Sequence, residues 1–191
     1  ICASDWPDLY HSEGSTLMRE RCQMEVAITG FRLRSQPKLK GQIDAMKYGG
    51  DRFAAFRWGR WLGERHVLSE LYSPSNVVLA PVPLHWQKKA RRGYNQAHWI
   101  ARGLAASWGL DVTPNLLVRT GHGVSLTGLT RAKREAMSAG LYEARQALES
   151  PRHGVIIVDD VMTTGSTIAA CGMALEKSGH RWLGAATLAL A

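Results

Sequence analysis

The sequence predicts an α/β domain with a central, mostly parallel sheet flanked by helices. Two observations carry this. Strand-like and helix-like patterns alternate along most of the 191 residues, as expected when crossover helices cover a parallel sheet. The run Val155-Ile156-Ile157-Val158 is apolar and β-branched at every position, which reads as a strand buried on both faces. With 45% hydrophobic residues, the chain can bury the core of one domain, with room for a small appendage.

Residues 1–24 are polar, with Cys2, His11 and Cys22 scattered among them, and form a poorly defined N-terminal segment. The domain is expected to occupy residues 25–191. Residues 25–34 read as a strand. A helix follows over 37–48: Pro37 suits its first turn, Leu39, Ile43 and Met46 are its apolar positions, and Gly49-Gly50 end it. Asp51 can cap the next helix, which runs to residue 65. Residues 77–82 form a strand bounded by prolines. Residues 96–108 form a helix in which Ala97, Ile100, Ala101, Leu104 and Trp108 share a face, with Gly109 at its end. A short strand at 116–119 leads into a Gly-rich segment at 120–129, expected to be mobile, and then a short basic helix at 130–137. After the 155–158 strand, a helix over 167–178 buries Ile168, Cys171 and Leu175, and 183–190 is the last strand.

Composition narrows the function classes. No stretch approaches the length of a membrane span, and no basic start followed by an apolar core suggests a signal peptide. The 3 cysteines are widely spaced, which points to a reducing compartment rather than a disulfide framework. No Cys-x-x-Cys pair offers a structural zinc site. A net charge of +8 favours polyanions, either nucleic acid or a polyphosphate substrate.

The chemistry concentrates at 155–167. Asp159 and Asp160 follow the apolar strand, then Thr163-Thr164-Gly165-Ser166-Thr167 leads into a helix. Ligands bind at the carboxyl ends of strands in open α/β sheets. A helix N-terminus offers unpaired N–H groups and partial positive charge to a phosphate. The hydroxyls add further donors, and Gly165 tolerates positive φ. One end of this site suits an anion, while the carboxylates suit hydroxyl donors or a cation; a sugar phosphate has both features. Receiver domains also pair acids after a strand but do not continue into this loop, and a Walker loop would need Gly-Lys-Ser/Thr.

A second cluster follows the strand at 77–82: Pro81-Val82-Pro83-Leu84-His85, a loop carrying Lys88, Lys89, Arg91 and Arg92, then Gly93-Tyr94-Asn95-Gln96-Ala97. Basic residues delivered to a strand end suit a diphosphate, and Arg is its best bidentate partner. An exposed basic loop with Asn95 as an ordinary cap is the alternative.

At 155–167 the chain resembles the type I phosphoribosyltransferases, whose signature for phosphoribosyl pyrophosphate (PRPP) is an apolar strand, two acids and a T-T-G-[ST]-T-like loop. The segments 81–85 and 92–97 resemble the ComF/ComFC/GntX-like branch of that family, as does Met46-Lys47-Tyr48-Gly49-Gly50-Asp51. The resemblance runs over residues 25–191. It implies the type I phosphoribosyltransferase fold, a bacterial cytoplasmic protein linked to natural competence and DNA uptake, and transfer of phosphoribose from PRPP to a nitrogen acceptor, with Mg²⁺ carried by PRPP. Asp159 and Asp160 would then be catalytic, holding the ribose beneath a developing oxocarbenium ion. Thr163, Thr164, Gly165, Ser166 and Thr167 would bind the 5′-phosphate, and Lys88, Arg91 and Arg92 the pyrophosphate. The segment 120–129 would be a lid.

The chain departs from the family in two places. Residues 1–24 lack the zinc ribbon that many members carry. Leu126 and Met137 stand where the branch tends to carry amides, and apolar groups there cannot hydrogen-bond a substrate. A second function class therefore stays open: a non-catalytic, PRPP-regulated module that binds single-stranded DNA. Six of the seven tryptophans (Trp58, Trp61, Trp86, Trp99, Trp108 and Trp182) are interleaved with basic residues, as in stacking platforms for single strands. Trp108 and Trp99 read instead as core or subunit-interface residues, so a homo-oligomer is left open. Trp86, within the basic segment, is the stacking candidate. Diphosphate and DNA are then assigned to one segment and should compete.

Overall fold

The structure, a computed structural model, describes residues 15, 16, 18, 24–33, 37–66, 68, 72, 75–120, 140–145 and 154–191. The expected basic helix at 130–137, the expected lid beyond Thr120, and Leu126 and Met137 lie outside the described residues.

Five strands form one parallel sheet: β1 (Val26–Arg32), β2 (Val77–Pro81), β3 (Asp111–Val112), β6 (Gly154–Met162) and β7 (Arg181–Leu190). Their order is β1-β7-β6-β2-β3, and every neighbouring pair is parallel. Two short strands, β4 (Leu117–Arg119) and β5 (Tyr142–Ala144), pair antiparallel beside it. The helices are α1 (Pro37–Tyr48), α2 (Arg52–Arg65), α3 (Trp86–Arg92), α4 (Gln96–Trp108) and α5 (Ser166–Lys177). This is the α/β architecture of the type I phosphoribosyltransferase-like fold, as the sequence predicts. Among the described residues, no helix is long and apolar enough to cross a membrane.

The two-residue period of β6 splits its apolar run between two cores. Ile156 and Val158 face a core with Phe31, Trp58, Trp61, Ile100 and Leu104, contributed by β1, α2 and α4. Val155 and Ile157 face a second core with Ile168, Cys171 and Leu175 of α5, and Met18. That is why the run is apolar at every position. Trp58 and Trp61 are buried core residues: Phe31 stacks on Trp61 with ring centroids 4.7 Å apart and meets Trp58 edge-on at 5.2 Å. Trp108 is half-buried, and its indole N–H lies within reach of two carbonyls at the end of α2, Gly63 at 3.1 Å and His66 at 2.7 Å. Those carbonyls have no partner within the helix.

The basic segment expected as a loop is the short helix α3. His85 caps it, its Nδ1 accepting from the Gln87 N–H at 3.3 Å, and Gly93 ends it in the left-handed conformation at φ 78°. None of its residues is buried, so no apolar period announces it. β3 and β5 are likewise shorter than a pattern can reveal.

Helices α2 and α4 touch backbone to backbone. A Cβ at Gly59 would collide with the Ile100 carbonyl oxygen, and one at Gly103 with that of Phe56. Overpacking of this kind costs about 1–3 kcal/mol. Gly103→Ala should therefore lower the urea midpoint with little change in slope. Gly41→Ala, on an exposed part of α1 with nothing within 4 Å, should leave stability unchanged or raise it by up to roughly 1 kcal/mol. Equal midpoints for the two variants would refute the close-contact assignment.

Candidate functional site

The site opens because two neighbouring strands end at different heights. β2 pairs with β6 up to Pro81 opposite Val158, and the last rung is the Val82 N–H donating to the Val158 carbonyl at 2.8 Å. No further rung forms, because the Val82 carbonyl accepts from Asn95 Nδ2 at 2.9 Å and the Asp160 N–H donates to Asp159 Oδ1 at 2.8 Å. β6 runs on beside β7, pairing Asp159 with Thr187 and Met162 with Leu190. The chain leaves β2 outward to β3 and returns as β6 on its other side, so the gap lies at a topological switch point.

A pocket of about 180 Å³ fills this gap. Asp159 and Asp160 form one wall, within the strand rather than after it. Asp160 pairs with Lys47 at the end of α1, at 3.2 Å and largely shielded from solvent. Asp159 lies towards α5 and Tyr142; its Oδ1 accepts from the Asp160 N–H at 2.8 Å. Burial first, then the adjacent Asp160 charge, push the Asp159 carboxyl up to about 7, while that N–H and the Lys47 and Lys88 ammonium groups partly hold it down. Tyr142 is buried, and burial pushes its phenol up to about 12.

The opposite wall is basic. Lys88 and Arg92, one helical turn apart on α3, line the pocket. Arg92 donates to Gln96 Oε1 at 3.0 Å. Gln96 is 1% exposed, and its Nε2 has no hydrogen-bond partner among the described residues, as is true of Arg92 Nε. Arg91 is placed elsewhere: it is exposed and stacks on the Tyr48 ring at 5.2 Å.

Two anchors hold these walls in register. Asn95 caps α4 by accepting from the Ala97 N–H at 3.1 Å and donates to the Val82 carbonyl at 2.9 Å, tying α4 to the end of β2. The Tyr94 hydroxyl donates to the Met46 carbonyl at 2.5 Å and lies 3.2 Å from that of Asp51, which fixes the turn bearing Lys47.

The Thr163–Thr167 segment sits at the rim. Gly165 precedes α5 with φ 83°, a conformation that β-branched residues resist. The Thr164 and Ser166 hydroxyls lie 3.0 Å apart, Thr163 and Thr164 are exposed, and Thr167 lines the pocket. The fold thus brings Asp159, Asp160, Thr167, Lys88 and Arg92 around one space. It adds Lys47, Gln96, Tyr142 and Arg119, to which sequence reasoning gave no role; Lys47 and Gln96 stood inside quoted motifs. Chemically, the pocket presents carboxylates to hydroxyls at one wall and cations to a polyanion at the other.

A carboxyl raised in the folded chain keeps its proton where the unfolded chain has lost it. Its contribution to stability is complete below its ordinary value of 3.8 and is lost as pH rises to about 7. Asp159→Asn cannot titrate. Its stability relative to the parent chain should therefore climb between pH 4 and about 7 and level off above that. Urea denaturation across this window reads the difference, and a flat profile would refute the assignment.

No family model matches the chain. It is 33% identical over 111 residues to Competence protein F of Haemophilus influenzae, an overlap of 58% of this chain and 48% of that protein. It is 32% identical over 117 residues to DNA utilization protein YhgH of Escherichia coli (57% and 46% of the two chains). With Competence protein ComFC of Bacillus subtilis it shares 24% over 113 residues (59% and 44%). The chain spans about half the length of these relatives. Motifs, fold and relatives agree: over 57–59% of its length the chain is similar to ComF-like proteins, and its α/β architecture is that of a type I phosphoribosyltransferase-like fold.

Proposed function

We propose that the chain binds PRPP in the pocket between β2 and β6 and transfers its phosphoribosyl group to a nitrogen acceptor, in a cell process tied to DNA uptake. The observation that carries this is the facing of an acid pair beside one helix N-terminus with Lys88 and Arg92 across the same pocket. The ribose hydroxyls donate to Asp159 and Asp160, and the 5′-phosphate takes the N–H groups and hydroxyls of Thr163–Thr167. The diphosphate, arriving with its Mg²⁺, lies against Lys88 and Arg92. In transfer, the bond from C1 to the diphosphate oxygen breaks, the diphosphate leaves with the electron pair, and the acceptor nitrogen bonds to C1 and sheds a proton to solvent. The carboxylates stabilise the cationic transition state by position and charge. The DNA-uptake context rests on the relatives' names, which refer to competence and DNA utilisation.

A second reading keeps PRPP binding without transfer, serving to regulate binding of single-stranded DNA. Leu126 and Met137, where the family tends to carry amides, favour it. Incubation with PRPP, Mg²⁺ and a panel of amines and nucleobases separates the two. Pyrophosphate release that depends on one acceptor supports transfer; binding without release supports the regulatory reading.

Asp159→Asn combined with Asp160→Asn should weaken PRPP by about 3 kcal/mol or more, since each charge-assisted hydrogen bond contributes roughly 1.5–3 kcal/mol. Unchanged affinity by calorimetry would reject the pocket as the PRPP site. Lys88→Ala with Arg92→Ala should weaken PRPP far more than ribose 5-phosphate, which lacks the diphosphate. Equal losses for both ligands would overturn the diphosphate assignment.

A further inference from the structure

Helix α3 has a second functional side. Lys88 and Arg92 line the pocket at the end of β6, whereas Trp86 and Lys89 line a separate cavity of about 420 Å³ between α3 and the β4–β5 pair. Three cations border this cavity, Lys89, Arg119 and Arg145, and no carboxylate does so among the described residues. Its aromatic edge is Trp86, which is 63% exposed, with the His85 ring tilted 31° to the indole at 5.8 Å. The Arg119 Nε is buried without a hydrogen-bond partner among the described residues. A solvent-facing indole is costly unless something covers it, and a bordering set of cations without counter-charges attracts an anion. Aromatic surface beside phosphate-seeking cations is the chemistry of a nucleotide unit: a base stacks, and its phosphate pairs with the cations. The volume falls in the range of small-ligand sites.

We propose that this cavity takes one nucleotide unit of a single-stranded nucleic acid, base against Trp86 and phosphate against Lys89 and Arg145. It shares Asn95, Arg119 and the Pro83–Leu84 turn with the neighbouring pocket. Trp86, Lys89 and Arg145 line this cavity alone, whereas Lys88, Arg92, Asp159 and Asp160 line only the other, so each ligand has its own anchors and the two bind together rather than compete. The site locates the DNA-binding part of the second reading above but does not depend on PRPP being bound or turned over.

Anisotropy of a fluorescein-labelled oligothymidine, with the full chain at low salt, tests the proposal. Trp86→Ala should weaken binding about five- to 150-fold, the equivalent of roughly 1–3 kcal/mol for one stacked base. Lys89→Ala with Arg145→Ala should weaken it and flatten its salt dependence, which carries a slope of about −0.7 per phosphate contacted. Thymidine 5′-monophosphate should displace the strand only at far higher concentration if the occupant is one unit of a chain; displacement at matching concentration would instead identify a free-nucleotide site. Saturating PRPP should leave the strand bound. Calorimetry with PRPP on the same variants reports folding and the integrity of the other pocket independently. Loss of PRPP binding in the parent chain would sink the PRPP reading while leaving this one standing. The cavity proposal is overturned if oligothymidine does not bind, if Trp86→Ala binds it unchanged, if PRPP displaces it, or if inorganic polyphosphate competes as well as the oligonucleotide.

Discussion

The unequal ends of β2 and β6 govern the rest of the site. The ladder between the two strands closes at Val82 and Val158, because the next two groups are taken elsewhere: the Val82 carbonyl accepts from Asn95 and the Asp160 N–H donates to its neighbour Asp159. β6 has no such interruption and continues along β7. Asp159 and Asp160 therefore have a hydrogen-bonded neighbour on one side and open space on the other. The N-termini of α4 and α5 arrive at this same edge, where Gln96, Ala97 and Thr167 of their first turns line the pocket. The dipoles of these helices add partial positive charge to the space before any charged side chain is counted.

Placing two carboxylates side by side in a half-buried strand is unfavourable by itself. The pleat separates their partners. Asp160 turns to the α1 side and meets Lys47 at 3.2 Å. Asp159 turns to the α5 side, where burial and its neighbour's charge keep its carboxyl raised. The strain is local. It is offset by the sheet's apolar interior, where Phe31 stacks on Trp61 with Trp58 edge-on to both on one face, and Ile168, Cys171 and Leu175 close the other. Site and core thus divide the labour along one strand: Val155–Val158 bury surface, and the residues after them face the ligand space.

Position in the site depends on a few polar anchors. Tyr94 joins the turn after α3 to the turn after α1, and Asn95 joins α4 to β2. Lys47, Lys88, Arg92 and Gln96 come from three helices, yet these anchors hold them around one volume. The close approach of α2 and α4, allowed by Gly59 and Gly103, supports α4 from behind.

Much of this was legible in the sequence alone. The boundaries of α1, α2 and α4 follow from caps and apolar period, and Asp51, Asn95 and Gly109 act as the caps their residue types announce. The acid pair, the Gly165 turn and the helix after it are consecutive, so local order places them together. Other features were not legible. α3 carries four cations and buries nothing, so it reads as a loop. Lys47, Tyr142 and Arg119 enter the site from elements distant in the chain, and nothing in their local sequence indicates a shared pocket. The division between Lys88 and Lys89, consecutive residues serving different cavities, is decided by the rotation of one short helix. Local sequence determines backbone preference and the chemistry carried at each position, because both depend on neighbouring residues. Which groups face one another across a gap depends on strand register and on where each strand stops, and only the tertiary packing of the whole sheet decides that.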